Sequence, residues 1–246
     1  MKALILAAGY ATRLYPLTLN TPKALLPIGK RNMMDFLCEA MLGLPGLDQV
    51  VVVTNSRFFG QFQAWAQGAR ERFQPLDFLV VDDGTHDDAS RLGAVGDIQF
   101  AIQQAHIQDD LLVAASDNFF TFPLSDFCEE FRRRNRDTLL GGRIADRREL
   151  TRFAVATLDP QGRVTSLVEK PQNPASDIAI YALYLYKKDT LPLIGQYLAQ
   201  GNPPDAPGHF PEWLYTRREV GVYLFQGECV DIGTPESYQA VCRRFG

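Results

Sequence analysis

Residues able to do chemistry concentrate near the start of the chain, in Leu6-Ala7-Ala8-Gly9-Tyr10-Ala11-Thr12-Arg13-Leu14-Tyr15-Pro16-Leu17-Thr18, then Thr21-Pro22-Lys23 and Leu26-Pro27-Ile28. Small side chains at Ala7, Ala8, Gly9 and Ala11 let backbone N–H groups approach a ligand closely, and glycine takes backbone angles that other residues resist. Arg13 and Lys23 each sit beside a proline-containing turn. A small-residue turn after a strand is by itself as often a plain structural device as a ligand loop. Two cations tied to such turns weigh towards holding a polyphosphate, since an ordinary solvated face would scatter them. The run is neither of the common phosphate loops. Gly29-Lys30 is followed by Arg31 rather than Ser or Thr, and no GxGxxG is present.

Positioning such a loop needs a sheet. Uninterrupted apolar runs at Ala3–Ala8, Val50–Thr54, Phe78–Val81 and Leu111–Ala115 read as strands buried on both faces, as in a parallel sheet. Between them lies helical spacing: Met33 to Leu42; Phe58, Phe62, Trp65, Ala69 and Phe73; Ile98, Ile102 and Ala105; Phe127 and Phe131. Alternation of this kind predicts a doubly wound α/β layer, with the loop at the carboxyl end of its first strand, where such folds bind ligands. Beyond it, Phe153–Leu158 and Arg163–Val168 flank the turn Asp159-Pro160-Gln161-Gly162 as a hairpin, and Ile178–Tyr186 and Val220–Phe225 add strands. The expected fold is α/β: a Rossmann-like mixed central sheet flanked by helices, in a single domain spanning 1–246. Gly201 to Gly208 is the only linker-like stretch, too short to separate domains.

Composition narrows the partners. Against 25 basic residues stand 29 acidic ones, a net charge of −4 over 246 residues, the wrong sign for a surface that grips nucleic acid or anionic lipid. Any bound anion must meet a local basic cluster. Cys38, Cys128, Cys229 and Cys242 are scattered without a CxxC pair, so neither a zinc site nor a disulfide framework is indicated, and reduced thiols of a cytoplasmic protein are expected. The run Ala3–Ala8 is strand-length, too short for a signal core, and nothing approaches the ~20 apolar residues of a membrane span.

The loop closely resembles the signature of the sugar-1-phosphate nucleotidylyltransferases (sugar-nucleotide pyrophosphorylases), such as the glucose-1-phosphate thymidylyl- and uridylyltransferases, whose usual pattern is LAAGxGTRLxPLT followed by PKxLLPI. Ala11 stands where that family usually has glycine. The resemblance continues in order through Leu92-Gly93-Ala94-Val95-Gly96, similar to the turn along the base, and Ala115-Ser116-Asp117-Asn118, where the family places a metal-binding aspartate. Glu169-Lys170-Pro171 matches its EKP triplet, and Val230-Asp231-Ile232-Gly233-Thr234-Pro235 the segment with its second metal aspartate. Either aspartate alone would read as a cap. Five motifs in one order favour the family.

The resemblance implies attack of a sugar 1-phosphate on the α-phosphorus of a nucleoside triphosphate, giving a nucleotide-diphospho-sugar and pyrophosphate with Mg²⁺ as cofactor. A phosphate monoester has a second pKa near ~6, so the nucleophile is anionic at neutral pH and needs no general base. Accordingly His86, His106 and His209 fall outside the motifs. Implied roles follow by position: Arg13 on the departing phosphates, Lys23 at the α-phosphate or incoming phosphate, and Asp117 and Asp231 on the metal. Lys170 would hold the sugar phosphate, Glu169 the sugar hydroxyls, and Leu6, Ala8, Gly9 and Gly93 the base and ribose. Residues 1–118 would form the nucleotide-binding half and 119–246 the sugar-phosphate-binding half. Ala154 and Ala182 stand where the family often has glycine, leaving the acceptor open between a hexose phosphate and a small alcohol phosphate, as for related cytidylyltransferases. Base and oligomeric state are also open. A non-catalytic homologue would be expected to lack a metal aspartate or phosphate cation. A glycosyltransferase would carry a DxD motif, which Ser116-Asp117-Asn118 is not. The acidic stretch from Asp82 to Asp88 reads as a solvated loop.

Overall fold

In the computed structural model β1 (Lys2–Leu6), the first of the apolar runs, lies at the centre of a mixed sheet. The structure describes residues 1–246, with the side chain of Asp231 outside the described residues. In chain order β1 is followed by β2 (Pro27–Ile28), β3 (Arg31–Asn32), α1 (Met33–Met41), β4 (Gln49–Thr54), α2 (Phe59–Arg72), β5 (Asp77–Asp82), α3 (Ala94–Gln104), β6 (Leu111–Ala115), β7 (Asn118–Phe120) and α4 (Ser125–Arg134). Then come β8 (Asp137–Arg143), α5 (Arg147–Leu150), β9 (Ala154–Leu158), β10 (Val164–Glu169), β11 (Ile178–Tyr186), α6 (Leu191–Ala199), α7 (His209–Leu214), β12 (Val220–Leu224), β13 (Cys229–Asp231) and α8 (Pro235–Phe245). The sheet runs β10-β9-β11-β6-β1-β4-β5, with β8 against β11 and β12 against β8.

β1, β4, β5 and β6 are mutually parallel, and β9, β10 and β11 add the antiparallel part, so the mixed Rossmann-like layer expected from the pattern is the fold. Period-2 alternation explains why both faces are covered. Ala3, Ile5, Val50 and Val52 pack with Met34, Phe62, Trp65 and Phe127 of α1, α2 and α4 on one side. Leu4, Val51, Val53 and Val113 pack with Val95, Ile98, Ile194 and Phe210 of α3, α6 and α7 on the other. Local chemistry sets the helix ends. Asn32 and Asp35 close a capping box on α1, and Thr234 and Ser237 one on α8.

Strand β8 is absent from the sequence reading because its Gly141-Gly142 pair signals a break. The reason for those glycines is tertiary: a Cβ on Gly141 would lie 2.4 Å from Val222 Cγ1, and one on Gly142 2.8 Å from the Phe225 ring. Among the described residues no helix is long and apolar enough to cross a membrane.

Candidate functional site

At the carboxyl ends of β1 and β6 the sheet opens into a cleft of about 630 Å³. Its walls include Leu6, Ala8, Gly9, Arg13, Lys23, Gly93 and Asp117 and, at the end of β10, four strands from β1 in the sheet, Glu169 and Lys170. The metal role expected of Asp231 lies outside the described residues as far as its side chain is concerned. Its backbone in β13 pairs with Asn118 of β7, and Ile232 N donates to Asp117 O at 3.3 Å.

The first wall is the loop after β1. Gly9 has open space where a Cβ would project, so a ligand meets bare backbone there. Ala11 is left-handed at φ 48°, ψ 44°, the conformation glycine would take without steric cost, and Leu14 N and Thr18 Oγ1 both donate to its carbonyl. Alanine at this position thus keeps the turn a glycine would make. Arg13 follows in the 3-10 turn Thr12–Leu14, exposed on the cleft, and Lys23 opens a second such turn, Lys23–Leu25. Lys23 Nζ forms a tight ion pair with Asp117 Oδ2, from side chains 16% and 27% exposed. Asp117 is no helix cap, because β7 follows it directly.

Gly93 takes φ 79° where a Cβ would sit 2.6 Å from Pro204 O. The first N–H groups of α3 are not turned to the ligand as free donors: Ala94 N and Val95 N donate to Asp205 O and Pro204 O. The stretch 201–208 is therefore not a linker but a wall, and Asp205, Ala206, Pro207 and Gly208 line the cleft beside Gly93. Composition alone hides this, since proline and glycine serve linkers and tight walls equally.

The acidic stretch 82–88 is only partly a solvated loop. Asp83 and Thr85 are buried, Thr85 N donates to Asp83 Oδ1 at 2.7 Å, and the Tyr10 hydroxyl lies 3.3 Å from Thr85 Oγ1. Asp83 in turn faces Asp97 of α3, which lines the cleft. One oxygen of each carboxyl, Asp83 Oδ2 and Asp97 Oδ1, is buried without a hydrogen-bond partner. Burial, then the neighbouring Asp83 charge, pushes the Asp97 carboxyl up to about 8. The folded chain therefore holds a proton that the unfolded chain releases near pH ~4, and stability must fall as pH rises from there through about 8. Asp97→Asn is expected to abolish most of that fall, melting above the parent at pH ~9 by at least ~1 kcal/mol, or ~2–4 °C, in thermal unfolding. Parallel pH profiles for the two proteins would refute the retained proton.

On the far wall Glu169 ends β10 opposite Ala154, its side chain 8% exposed and its carboxyl held up in pKa chiefly by burial. Lys170 Nζ lies 3.6 Å from Glu169 Oε1, and Lys170 takes a left-handed φ of 47°. Such strain in a non-glycine residue clusters where side chains are aimed at ligands. Arg152, Phe153 and Tyr181 complete this end, the two rings 5.1 Å apart. The sequence reading missed Arg152, Asp97 and Gly208. Arg152 neighbours a recognised motif, whereas Asp97 and Gly208 carry no local signal.

A glucose-1-phosphate thymidylyltransferase of Streptomyces antibioticus is 31% identical over 191 residues, 76% of this chain and 49% of that protein. The human mannose-1-phosphate guanylyltransferase regulatory subunit alpha is 26% identical over 239 residues, 91% of this chain and 54% of that protein. The chain thus spans about half the length of these curated relatives. Among solved structures, UDP-glucose pyrophosphorylase complexed with UDP-glucose superposes with a TM-score of 0.84 at 19% identity, over 99% of this chain and 97% of that one, which establishes the shared fold. The family model described as nucleotidyl transferase matches residues 2–244, nearly the whole α/β layer and both walls of the cleft, and the chain belongs to that family.

Proposed function

We propose that this chain joins a nucleoside triphosphate to a sugar 1-phosphate, releasing pyrophosphate. The observation that carries the reading is the common cleft: Arg13, Lys23 and Asp117 line the same cavity as Glu169 and Lys170, far away in the chain. An oxygen of the acceptor phosphate attacks the α-phosphorus, and the bond from that phosphorus to the oxygen bridging to the β-phosphorus breaks. Pyrophosphate leaves with the electron pair. Because the attacking oxygen is already anionic, the barrier lies in bringing polyanions together and in the charge developing on the leaving group.

Side chains meet both demands. Arg13, a planar fork of donors on the first wall, suits the departing phosphates, and Lys23, a compact charge beside Asp117, suits the α-phosphate or the oxygen that attacks it. Glu169, buried yet on the cleft, accepts hydrogen bonds from acceptor hydroxyls, while Lys170 offsets the acceptor phosphate. Backbone groups of Leu6, Ala8, Gly9 and Gly93 border the space left for base and ribose.

A magnesium ion fits the donor chemistry. Hard oxygen from Asp117 lies on the cleft, and strand pairing brings the backbone of Asp231 alongside it. Such a cation takes one or two protein carboxylates and completes its shell from phosphate and water. When bound, Mg²⁺ would supply Lewis-acid polarisation of the phosphate and charge neutralisation. We assign Asp117 and Asp231 to it.

Two alternatives are weaker. A non-catalytic role, which the name of the regulatory subunit keeps in view, would not require Arg13, Lys23 and Asp117 to be retained together. A small alcohol phosphate bearing a quaternary ammonium would bring its cation to an end of the cleft that already holds two cationic side chains, Arg152 and Lys170, beside Glu169. The four cysteines, two of them buried, form no disulfide with one another, which suits a reducing, cytoplasmic location. Incubation with Mg²⁺, each triphosphate and a panel of sugar 1-phosphates is expected to release pyrophosphate for at least one pair. Silence across the panel, with the protein folded, would overturn the reading.

A further inference from the structure

Five cationic side chains border the cleft, and they differ in what neutralises them. Lys23 is paired with Asp117. Arg91 reaches Asp88 at 3.0 Å and Asp205 at 3.5 Å. Lys170 lies 3.6 Å from Glu169. Arg13 and Arg152 have no acidic partner among the described residues. An arginine without a counter-ion on the wall of an anion-binding cleft is available to a ligand's charge, and these two adjoin β1 and β9, which β6 and β11 separate in the sheet. Arg13 belongs to the loop after β1. Arg152 precedes β9 and adjoins the EKP segment, for Lys170 N donates to Phe153 O at 3.1 Å.

Resting on the transfer reaction proposed above, we propose that Arg152 is the clamp for the acceptor's phosphate, holding it by bidentate hydrogen bonds while Lys170 is shared between that phosphate and Glu169. Lys170 is a poor sole anchor because its charge is already partly satisfied by a buried carboxylate. The guanidinium of Arg152 matches two phosphate oxygens in one plane. Its position also divides the work between the arginines: Arg13 serves the phosphates that leave and Arg152 the phosphate that arrives. An acceptor that presents only hydroxyl groups would leave Arg152 unpaired.

The test compares wild type, Arg152→Ala, Arg152→Lys and Arg13→Ala. With triphosphate saturating, Arg152→Ala is expected to raise the KM for the best acceptor of the panel about tenfold to a hundredfold, with the triphosphate KM within about twofold of wild type. Arg152→Lys should recover part of the loss, because it restores charge without the fork. Calorimetric binding of inorganic phosphate and of glucose 1-phosphate, without triphosphate, provides a readout that needs no turnover. Binding weakened in Arg152→Ala and kept in Arg13→Ala supports the clamp even if no panel pair reacts, in which case the transfer reading fails and the clamp stands. An unchanged acceptor KM in an active Arg152→Ala enzyme overturns the clamp and leaves the transfer reading intact. Phosphate binding lost only in Arg13→Ala, or no binding of either ligand to wild type, also overturns it.

Discussion

Turnover is expected to fall at least about a hundredfold when Asp117 is replaced by asparagine, with the fold retained. The substitution conserves volume and leaves an oxygen at the same point of the cleft, but removes the charge. Two consequences of that charge are separable. Lys23, whose side chain is 16% exposed, loses its ionic partner, at a stability cost of order ~1–3 kcal/mol that thermal unfolding reads. If Asp117 also holds the metal, the Mg²⁺ concentration for half-maximal rate rises in the variant, which loss of the ion pair alone would not produce. Lys23→Met is the comparator, since it breaks the same pair and keeps the carboxylate. Near-normal turnover in Asp117→Asn at ordinary Mg²⁺ would remove Asp117 from the reacting centre.

The second large effect is expected from a methyl group. A Cβ on Gly208 would lie 1.9 Å from Glu169 Oε2, 2.9 Å from its Cδ and 3.2 Å from Ala154 Cβ. The atom in the way is the far end of a flexible side chain, so Gly208→Ala costs little stability and instead drives the carboxylate from its place. The strand end stays in place, since the backbone N–H of Glu169 donates to Glu212 Oε2 at 3.2 Å, so it is the side chain that moves, away from Gly208 and Ala154. The KM for the acceptor is therefore expected to rise at least about tenfold, the scale of one charge-assisted hydrogen bond, while that for the triphosphate is unchanged. Glu169→Gln should show a comparable rise without the clash. Steady-state kinetics with the acceptor varied decides the matter. A normal acceptor KM in the Gly208→Ala enzyme would mean that the Glu169 carboxylate takes no part in holding it.

Both effects lie where local signals and tertiary contacts meet. Glu169 belongs to a motif visible in the chain, but Gly208 sits in a proline-rich stretch whose composition reads as a linker. Its importance arises because α7 and the loop before it pack on β10. Likewise Asp97 occupies an ordinary amphipathic helix, and its carboxyl becomes unusual because the fold buries it and then brings Asp83 up from the end of β5. Strand β8 escaped notice for the same reason, since its two glycines are demanded by Val222 and Phe225, which come far later in the chain.

Amino-acid order alone determined the parallel core and the first wall of the cleft. Runs such as Leu111–Ala115 are buried on both faces and so carry their strand pattern locally, and the backbone of the loop from Ala7 to Arg13 is shaped by its own small residues. Tertiary structure decided which distant groups meet. Lys23 finds Asp117 across 94 residues because β1 and β6 are adjacent in register, and Arg152, Glu169 and Gly208 converge because β9 and β10 pair beneath the loop that leads into α7. Strand register and close approach are sums over many weak contacts. No single stretch of sequence contains them.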